Sequence, residues 1–394
     1  MRVVHVTNAY TPCSGGIRTT VHALGHGYRA AGHDFVLVVP GQRSSDEQLP
    51  WGRRVTIAGP RVPGSGGYRV LADLGKVRAV LDDLQPDRLE ISDRLTLRGL
   101  GRWAAAAGVP STMIAHERVD GILRAFSPLG PRAAQLAADR HNATTAQRFD
   151  RVVTTTRFAA QEFARIGIPT DHVPLGVDLD LFRPVRHPQL ETQSGTQSGT
   201  QTGSVPLLVL CSRLSREKRP DLAIDALRVL LRAGTPARLV IAGSGPLSAS
   251  LGRRARGLPV EMVGQVVDRS SVAYLLGSAD VVLAPGPVET FGLAALEALA
   301  CGTPVVAAST SAVAELVGGG AGCSARPEPP ALAAAVARML AVPTAQRRQA
   351  ARARAESYPW SRTTETMLAL HGIEGSESPG RKTEKMMRRS LIDL

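Results

Sequence analysis

The chain has 394 residues, 43% of them hydrophobic, and a formal net charge of +13. At roughly 150 residues per domain this is material for about two globular domains, each large enough for its own core. No apolar run reaches the ~20 residues that span a bilayer, which excludes a membrane-spanning helix.

The charge has three readings. Nucleic-acid binding is disfavoured, because aromatics are only 4% of the chain and no basic helix or stacking motif appears. Attraction to anionic lipid at a membrane surface and a solvated, Arg-rich exterior both stay open. Cys13, Cys211, Cys301 and Cys323 are scattered without paired spacing. Neither a disulfide nor a metal site is expected, and a reducing cytoplasm is the simplest compartment.

The N-terminus reads as a first strand, Val3 to Thr7, and lacks the longer apolar core and cleavage site of a signal peptide. A helix is expected over Ile17 to Ala31. Strands follow at Phe35 to Val39, Val55 to Ala58, Arg88 to Ile91, Thr112 to Ala115 and Val152 to Thr155. Helical patterns lie between several of them, at Thr96 to Ala107 for example, and another follows near Phe158 to Ile166. Such alternation implies parallel strands with crossover helices, a doubly wound α/β sheet. We assign residues 1–183 to this first domain.

The pattern fails from Pro184. Glu191 to Ser204 is a run of Thr, Gln, Ser and Gly that cannot form a core, so residues 184–205 are expected to be a flexible linker. Alternation then restarts. Strands are expected at Leu207 to Cys211, Leu239 to Ala242, Val260 to Val263, Val281 to Ala284 and Pro304 to Ala307, with a helix over Leu222 to Leu231. Ala/Arg-rich helices at Ala331 to Leu340 and Thr344 to Ser357 complete a second domain, residues 206–357. A further helix follows Trp360, and residues 373–394 form a basic tail expected to be disordered. Two open α/β sheets leave a cleft between them and bind ligands at the carboxyl ends of their strands.

Several motifs fall at such ends. Gly15 and Gly16 lie between the first strand and the first helix, where backbone can approach an anion. A glycine turn there is often only a turn, and the three spaced glycines of a dinucleotide site are missing. His116 ends a strand of the first domain, placed to hydrogen-bond a sugar hydroxyl, to move a proton, or simply to cap a loop. Glu117 and Arg118, beside it, can pair with each other. Arg213 and Lys218 follow the first strand of the second domain. Held there, a guanidinium and an ammonium neutralise a diphosphate leaving group without a metal; the plain alternative is a solvated basic loop. Gly243 ends the next strand, and its glycine allows close backbone approach or an ordinary turn.

The most informative stretch is Pro285 to Pro304. Glu289 sits in a loop after an apolar strand, and Glu297 lies within a helix of Ala and Leu that Gly302 and Pro304 end. A carboxylate on such a helix is costly unless something pairs with it, and sugar or ribose hydroxyls are suitable partners. The helix is expected to open at Thr290, Phe291, Gly292 and Leu293, with its free N–H groups facing the cleft and Gly292 leaving room for phosphate.

Glu-Thr-Phe-Gly-Leu at Glu289 to Leu293, then Glu297 and Cys-Gly-Thr-Pro-Val-Val from Cys301, resembles the Glu-x7-Glu signature of the retaining glycosyltransferases of family 4. Ser212 to Lys218 resembles that family's basic donor motif, and Gly15-Gly16 its N-domain glycine loop. The resemblance runs from Met1 to about His371. It implies a GT-B fold: two Rossmann-like domains with an interdomain cleft, and a C-terminal helix, residues 358–372, crossing back to the first. It assigns Glu297 to the ribose, Glu289 to hydroxyls of the donor sugar, Arg213 and Lys218 to the diphosphate, and His116 to the donor sugar near the reacting carbon. No metal or cofactor is implied.

A narrower likeness, through Asn8 to Gly16, Ile91 to Leu100 and Ala115 to Asp120, is to actinobacterial mannosyltransferases that extend phosphatidylinositol mannosides. It implies a hexosyltransferase using GDP-mannose and a lipid or glycolipid acceptor, cytoplasmic or peripheral on the inner face of the plasma membrane. A same-fold enzyme with a soluble acceptor, such as a natural product or thiol precursor, and a non-catalytic nucleotide-sugar-binding protein are the alternatives.

Overall fold

The structure is a computed structural model that describes residues 1–11, 15–62, 67–185 and 205–373. Pro12 to Ser14 of the glycine loop, the Gln/Ser/Thr-rich run from Glu191 to Ser204 and the basic tail from 374 onward lie outside the described residues.

The first sheet contains β1 (Arg2–Val6), β2 (Asp34–Gly41), β3 (Ser45–Leu49), β4 (Gly52–Ala58), β5 (Arg88–Ile91), β6 (Ser111–Ala115), β7 (Arg151–Thr154) and β8 (Asp171–His172). Their spatial order is β3-β4-β2-β1-β5-β6-β7-β8. All neighbours are parallel except β3, which folds back antiparallel on β4. The central strands, such as β2 with Phe35 to Val39 buried throughout, are continuous apolar runs because helices cover both faces. β3 escapes a hydrophobic reading because it is the polar edge Ser-Asp-Glu-Gln-Leu, tied to β4 by Arg53 on Asp46 at 2.6 Å and Arg54 on Glu47 at 2.8 Å.

The second sheet contains β9 (Leu207–Cys211), β10 (Arg238–Ala242), β11 (Val260–Gly264), β12 (Val281–Ala284), β13 (Val305–Ala308) and β14 (Gly322–Ala325), all parallel, in the order β11-β10-β9-β12-β13-β14. Both sheets reverse direction beside their first strand, between β1 and β5 and between β9 and β12. These are the switch points at which open α/β sheets hold ligands.

The final helix, Trp360–Leu370, packs against the first domain. Met367 and Leu368 join a core with Val3, Leu24, Tyr28 and Phe35. Helix Gly15–Ala30 presents Gly27 at the crossing, where a Cβ would lie 2.2 Å from the Thr364 hydroxyl oxygen. The end of this helix is pinned by a buried charge. Glu90 of β5, fully enclosed, meets His5 Nδ1 at 2.8 Å and His371 Nε2 at 2.8 Å, and accepts from the Tyr28 hydroxyl at 2.6 Å. Burial pushes the Glu90 carboxyl up, but the bonds from His371 and His5 outweigh it and hold the group well below the usual carboxylate range.

Candidate active site

The second sheet's switch point opens into a cavity lined by Cys211 and Ser212 from the end of β9, Pro285 and Gly286 from the end of β12, and Lys218, Glu289, Gly292 and Val313. The loop after β9 reaches it through a short 3-10 turn, Arg216–Lys218, then Arg219 in a left-handed conformation with φ +46°. A non-glycine residue held there costs about 1 kcal/mol or more and persists only when its surroundings fix it. Asp221 does so, accepting from Arg219 at 3.0 and 2.8 Å. The turn delivers the Lys218 ammonium directly onto the Glu289 carboxylate. Arg213 stands on the rim, half-exposed and 3.4 Å from Glu217. Burial raises the Glu289 carboxyl, yet Lys218 and Arg213 more than offset that and keep it below its ordinary value, hence ionised at neutral pH.

The helix carrying Glu297 begins at Leu293, later than its sequence suggests. Gly292 is its N-cap, with φ +86°, and a Cβ there would collide with Val313 at 2.5 Å. Phe291 is buried in the second domain's core, and Thr290 lies outside the helix, bridging the domains. Glu297 is largely buried, and burial pushes its carboxyl up to about 7 against the pull of Arg269, whose guanidinium lies 3.2 Å away. Gly243 has φ +139°, and its missing side chain makes room for the Ser212 carbonyl, which a Cβ would meet at 1.8 Å. That glycine thus packs the β10 loop on the β9 loop that leads to Lys218.

The first domain faces this cavity closely. Gly15 and Gly16 open helix Gly15–Ala30, and a Cβ on Gly16 would lie 3.6 Å from Leu293. His116 follows β6, and its carbonyl accepts from the Thr290 hydroxyl at 2.6 Å. Among the described residues its Nε2 is enclosed without a hydrogen-bond partner, and Glu117 Oε1 lies 3.7 Å away. Arg118 turns from Glu117 to Asp120, which accepts from it at 3.0 and 2.7 Å, so the adjacent pairing suggested by sequence does not form. The loop is fixed from behind by Glu162, which accepts from Val119 N at 3.0 Å and Asp120 N at 2.7 Å, and by buried Arg94, which donates to the Glu117 carbonyl. At the first sheet's own switch point Asn8 donates to Asp93 at 2.8 Å and Thr96 at 2.6 Å, a polar cluster suited to hydroxyl groups.

Sequence reasoning missed the residues that join the domains. Glu315 accepts from Arg157 N at 3.1 Å and Phe158 N at 2.7 Å, capping helix Arg157–Ala164 from the other domain. Thr156 donates to the Thr290 carbonyl at 2.9 Å. Arg269 donates to Thr19 at 2.6 Å. Nothing in the local pattern marks these side chains, since their partners are more than 100 residues away. Only Arg269 had a faint signal, its place just after Asp268, which caps a helix through Ser271 N at 2.7 Å.

Comparison with known proteins bears on the family and the fold. The family described as "Glycosyl transferase 4-like domain" matches residues 15–176, and the family "Glycosyl transferases group 1" matches residues 205–341. The chain is 51% identical to a GDP-mannose-dependent alpha-(1-6)-phosphatidylinositol dimannoside mannosyltransferase of Mycobacterium tuberculosis, over 94% of this chain and 96% of that protein. It is 32% identical to a D-inositol 3-phosphate glycosyltransferase of Catenulispora acidiphila, over 62% of this chain and 60% of that one. Among solved structures, sucrose-phosphate synthase from Thermosynechococcus elongatus superposes with a TM-score of 0.74 at 20% identity, covering 94% of this chain and 98% of that one. The Anabaena protein HepE in complex with UDP and glucose gives 0.70 at 19%, covering 94% and 99%. At those identities the likeness speaks for the fold alone. With both halves matched, and the mycobacterial enzyme aligned along nearly its whole length, the chain belongs to the family 4 glycosyltransferases of GT-B fold.

Proposed function

We propose that this glycosyltransferase moves mannose from GDP-mannose to a phosphatidylinositol mannoside, with retention at the anomeric carbon and without a metal. The observation that carries the reading is the Lys218 ammonium set on the ionised Glu289 at the mouth of the β9/β12 cavity. Such a pair offers one group to each end of a sugar diphosphate. Lys218 and Arg213 take the charge that develops on the departing phosphate, and Glu289 accepts bonds from the sugar hydroxyls. Glu297 accepts from the ribose. The backbone at Gly15-Gly16, Gly243 and Thr290 to Leu293 surrounds the nucleotide and diphosphate. His116, whose Nε2 has no hydrogen-bond partner among the described residues, takes a hydroxyl of the donor sugar.

Chemically, the bond between the anomeric carbon and the diphosphate oxygen breaks as the acceptor hydroxyl approaches on the same face. The departing phosphate oxygen receives the acceptor proton, so no protein base is consumed. The choice of GDP-mannose and of an inositol-lipid acceptor is supported by the activity in the mycobacterial relative's name. The net charge of +13 suits work at an anionic membrane, where the enzyme would be peripheral: no helix among the described residues is long and apolar enough to cross one.

The test is transfer by the purified protein from labelled GDP-mannose, GDP-glucose or UDP-glucose to phosphatidylinositol mannosides in vesicles, with EDTA present. Mannolipid of α configuration is the expected product. Transfer only to soluble acceptors, or hydrolysis-free binding without transfer, would overturn the reading.

A further inference from the structure

One residue of the cleft touches both domains and the donor-side carboxylate at once. Arg269 opens helix Arg269–Ser278 of the second domain. Its Nη2 lies 3.2 Å from Glu297 Oε1, its Nη1 donates to the Thr19 hydroxyl at 2.6 Å, and its guanidinium carbon lies 5.1 Å from the centre of the Phe182 ring. Thr19 belongs to helix Gly15–Ala30 of the first domain, one turn past the glycine pair. The planar fork is thus fixed on three sides, which suits Arg and not Lys. We propose that Arg269 is a positioning residue for the donor site: it orients Glu297 with one oxygen occupied and the other turned to the ribose, and it makes that arrangement depend on closure of the first domain through Thr19. This deepens the proposed function and rests on Glu297 meeting the nucleotide.

The physical reason is the setting of Glu297. It lies largely enclosed on an Ala/Leu helix, and burial favours its neutral form. The charged and titratable groups around it are few. Arg269 is the favourable cation, Asp178 acts against ionisation, and the Cys211 and Cys301 thiols, both raised by burial, stay neutral. Arg269 itself faces His22 on the first domain's helix, whose imidazole burial and neighbouring cations, Arg18 first, hold near 4 and therefore uncharged at neutral pH. A ribose hydroxyl donates best to a carboxylate, so donor binding needs the ionised form. With Glu297 titrating near 7, the cation that holds it down decides how much of it is competent at neutral pH.

The test measures GDP affinity by calorimetry from pH 6 to 8.5 in the full-length protein. Wild type is expected to weaken as pH falls through about 7. Arg269→Met is expected to weaken GDP at least fivefold at pH 7 and to move the midpoint of the pH profile upward by about one unit, with Arg269→Lys between the two. Thr19→Val leaves the guanidinium on Glu297. It is expected to keep the midpoint, while weakening GDP about threefold and enlarging the protein in solution scattering. Melting curves show whether each variant is folded; should Arg269→Met not fold, Arg269→Lys and Thr19→Val decide. If Glu297→Gln leaves GDP affinity intact, the ribose assignment is wrong and the inference falls with it. If Glu297→Gln weakens GDP tenfold while the Arg269 variants keep both affinity and midpoint, the inference alone is refuted.

Discussion

Glu315 offers a measure of how strongly the two domains hold each other. Its carboxylate accepts from the first two amides of helix Arg157–Ala164, at 3.1 and 2.7 Å, while the third, Ala159 N, is satisfied within the first domain by the Thr156 hydroxyl at 3.0 Å. Arg354 steadies Glu315 from its own side by donating to its carbonyl at 2.7 Å. Separating the domains leaves two orphan donors at a positive helix end. A side-chain cap is worth about 1 kcal/mol, and a carboxylate at the helix dipole adds roughly 0.3–1 kcal/mol. Since about 1.4 kcal/mol is a factor of ten, Glu315→Ala is expected to shift the closed-to-open ratio roughly tenfold toward open. Small-angle scattering reads this as a larger radius of gyration, and steady-state kinetics as a raised donor KM. Glu315→Gln, which keeps shape and loses charge, is expected to fall between. The reasoning fails if Glu315→Ala lowers the melting temperature while scattering and donor KM stay within twofold of wild type, because the cap would then serve only the first domain's own stability.

Glu289→Gln and Lys218→Met are each expected to lower kcat by about a hundredfold or more, as removal of one preorganised electrostatic group does, and their double variant to be no worse than additive; near-normal turnover in either removes that residue's role. His116→Ala is expected to reduce turnover strongly while leaving GDP affinity unchanged, which calorimetry checks. Glu90→Gln is expected to destabilise the protein by about 3 kcal/mol at neutral pH, the scale of a broken buried pair. The Glu90 carboxyl is depressed in the folded state, so its contribution is present above the unfolded value of about 4.3 and fades as pH falls below it. The wild type should therefore lose stability more steeply than Glu90→Gln between pH 5 and 3, as chemical denaturation would record. Cys211 and Cys301, both pushed up to about 12 by burial and by Glu297, should resist iodoacetamide at pH 8 until the protein is unfolded, as mass spectrometry would read.

Eleven of the strands, such as Leu207–Cys211 and Val281–Ala284, were legible as short apolar runs bounded by turn residues. Strands β3, β8 and β14 were not, since Ser-Asp-Glu-Gln-Leu, the two-residue Asp-His and Gly-Cys-Ser-Ala carry little hydrophobic signal, and all three lie toward the sheet edges. The late start of the Leu293–Ala300 helix was hidden for a related reason. Only the close approach of Val313 dictates the left-handed Gly292, and Val313 comes from another element. Glu289 and Glu297 stood out as carboxylates among apolar neighbours. Arg269 and Glu315 did not: Arg269, at the first position of a helix after Asp268, and Glu315, at the end of the short turn Ala312–Glu315, meet partners in the first domain that no local spacing reveals.

The buried meeting of His5, Glu90 and His371 has a consequence for how the protein is made. Glu90 is enclosed only when a residue near the far end of the chain arrives. A nascent chain emerges from the ribosome N-terminus first, so the first sheet can assemble early while its internal carboxylate still lacks one partner. Until helix Trp360–Leu370 appears, Met367 and Leu368 are missing from its core as well. The first domain is thus the earliest to begin folding and the last to finish. Truncation anywhere in the second domain would leave it open at that face, so an incomplete product would expose itself to proteolysis rather than persist as a half-enzyme.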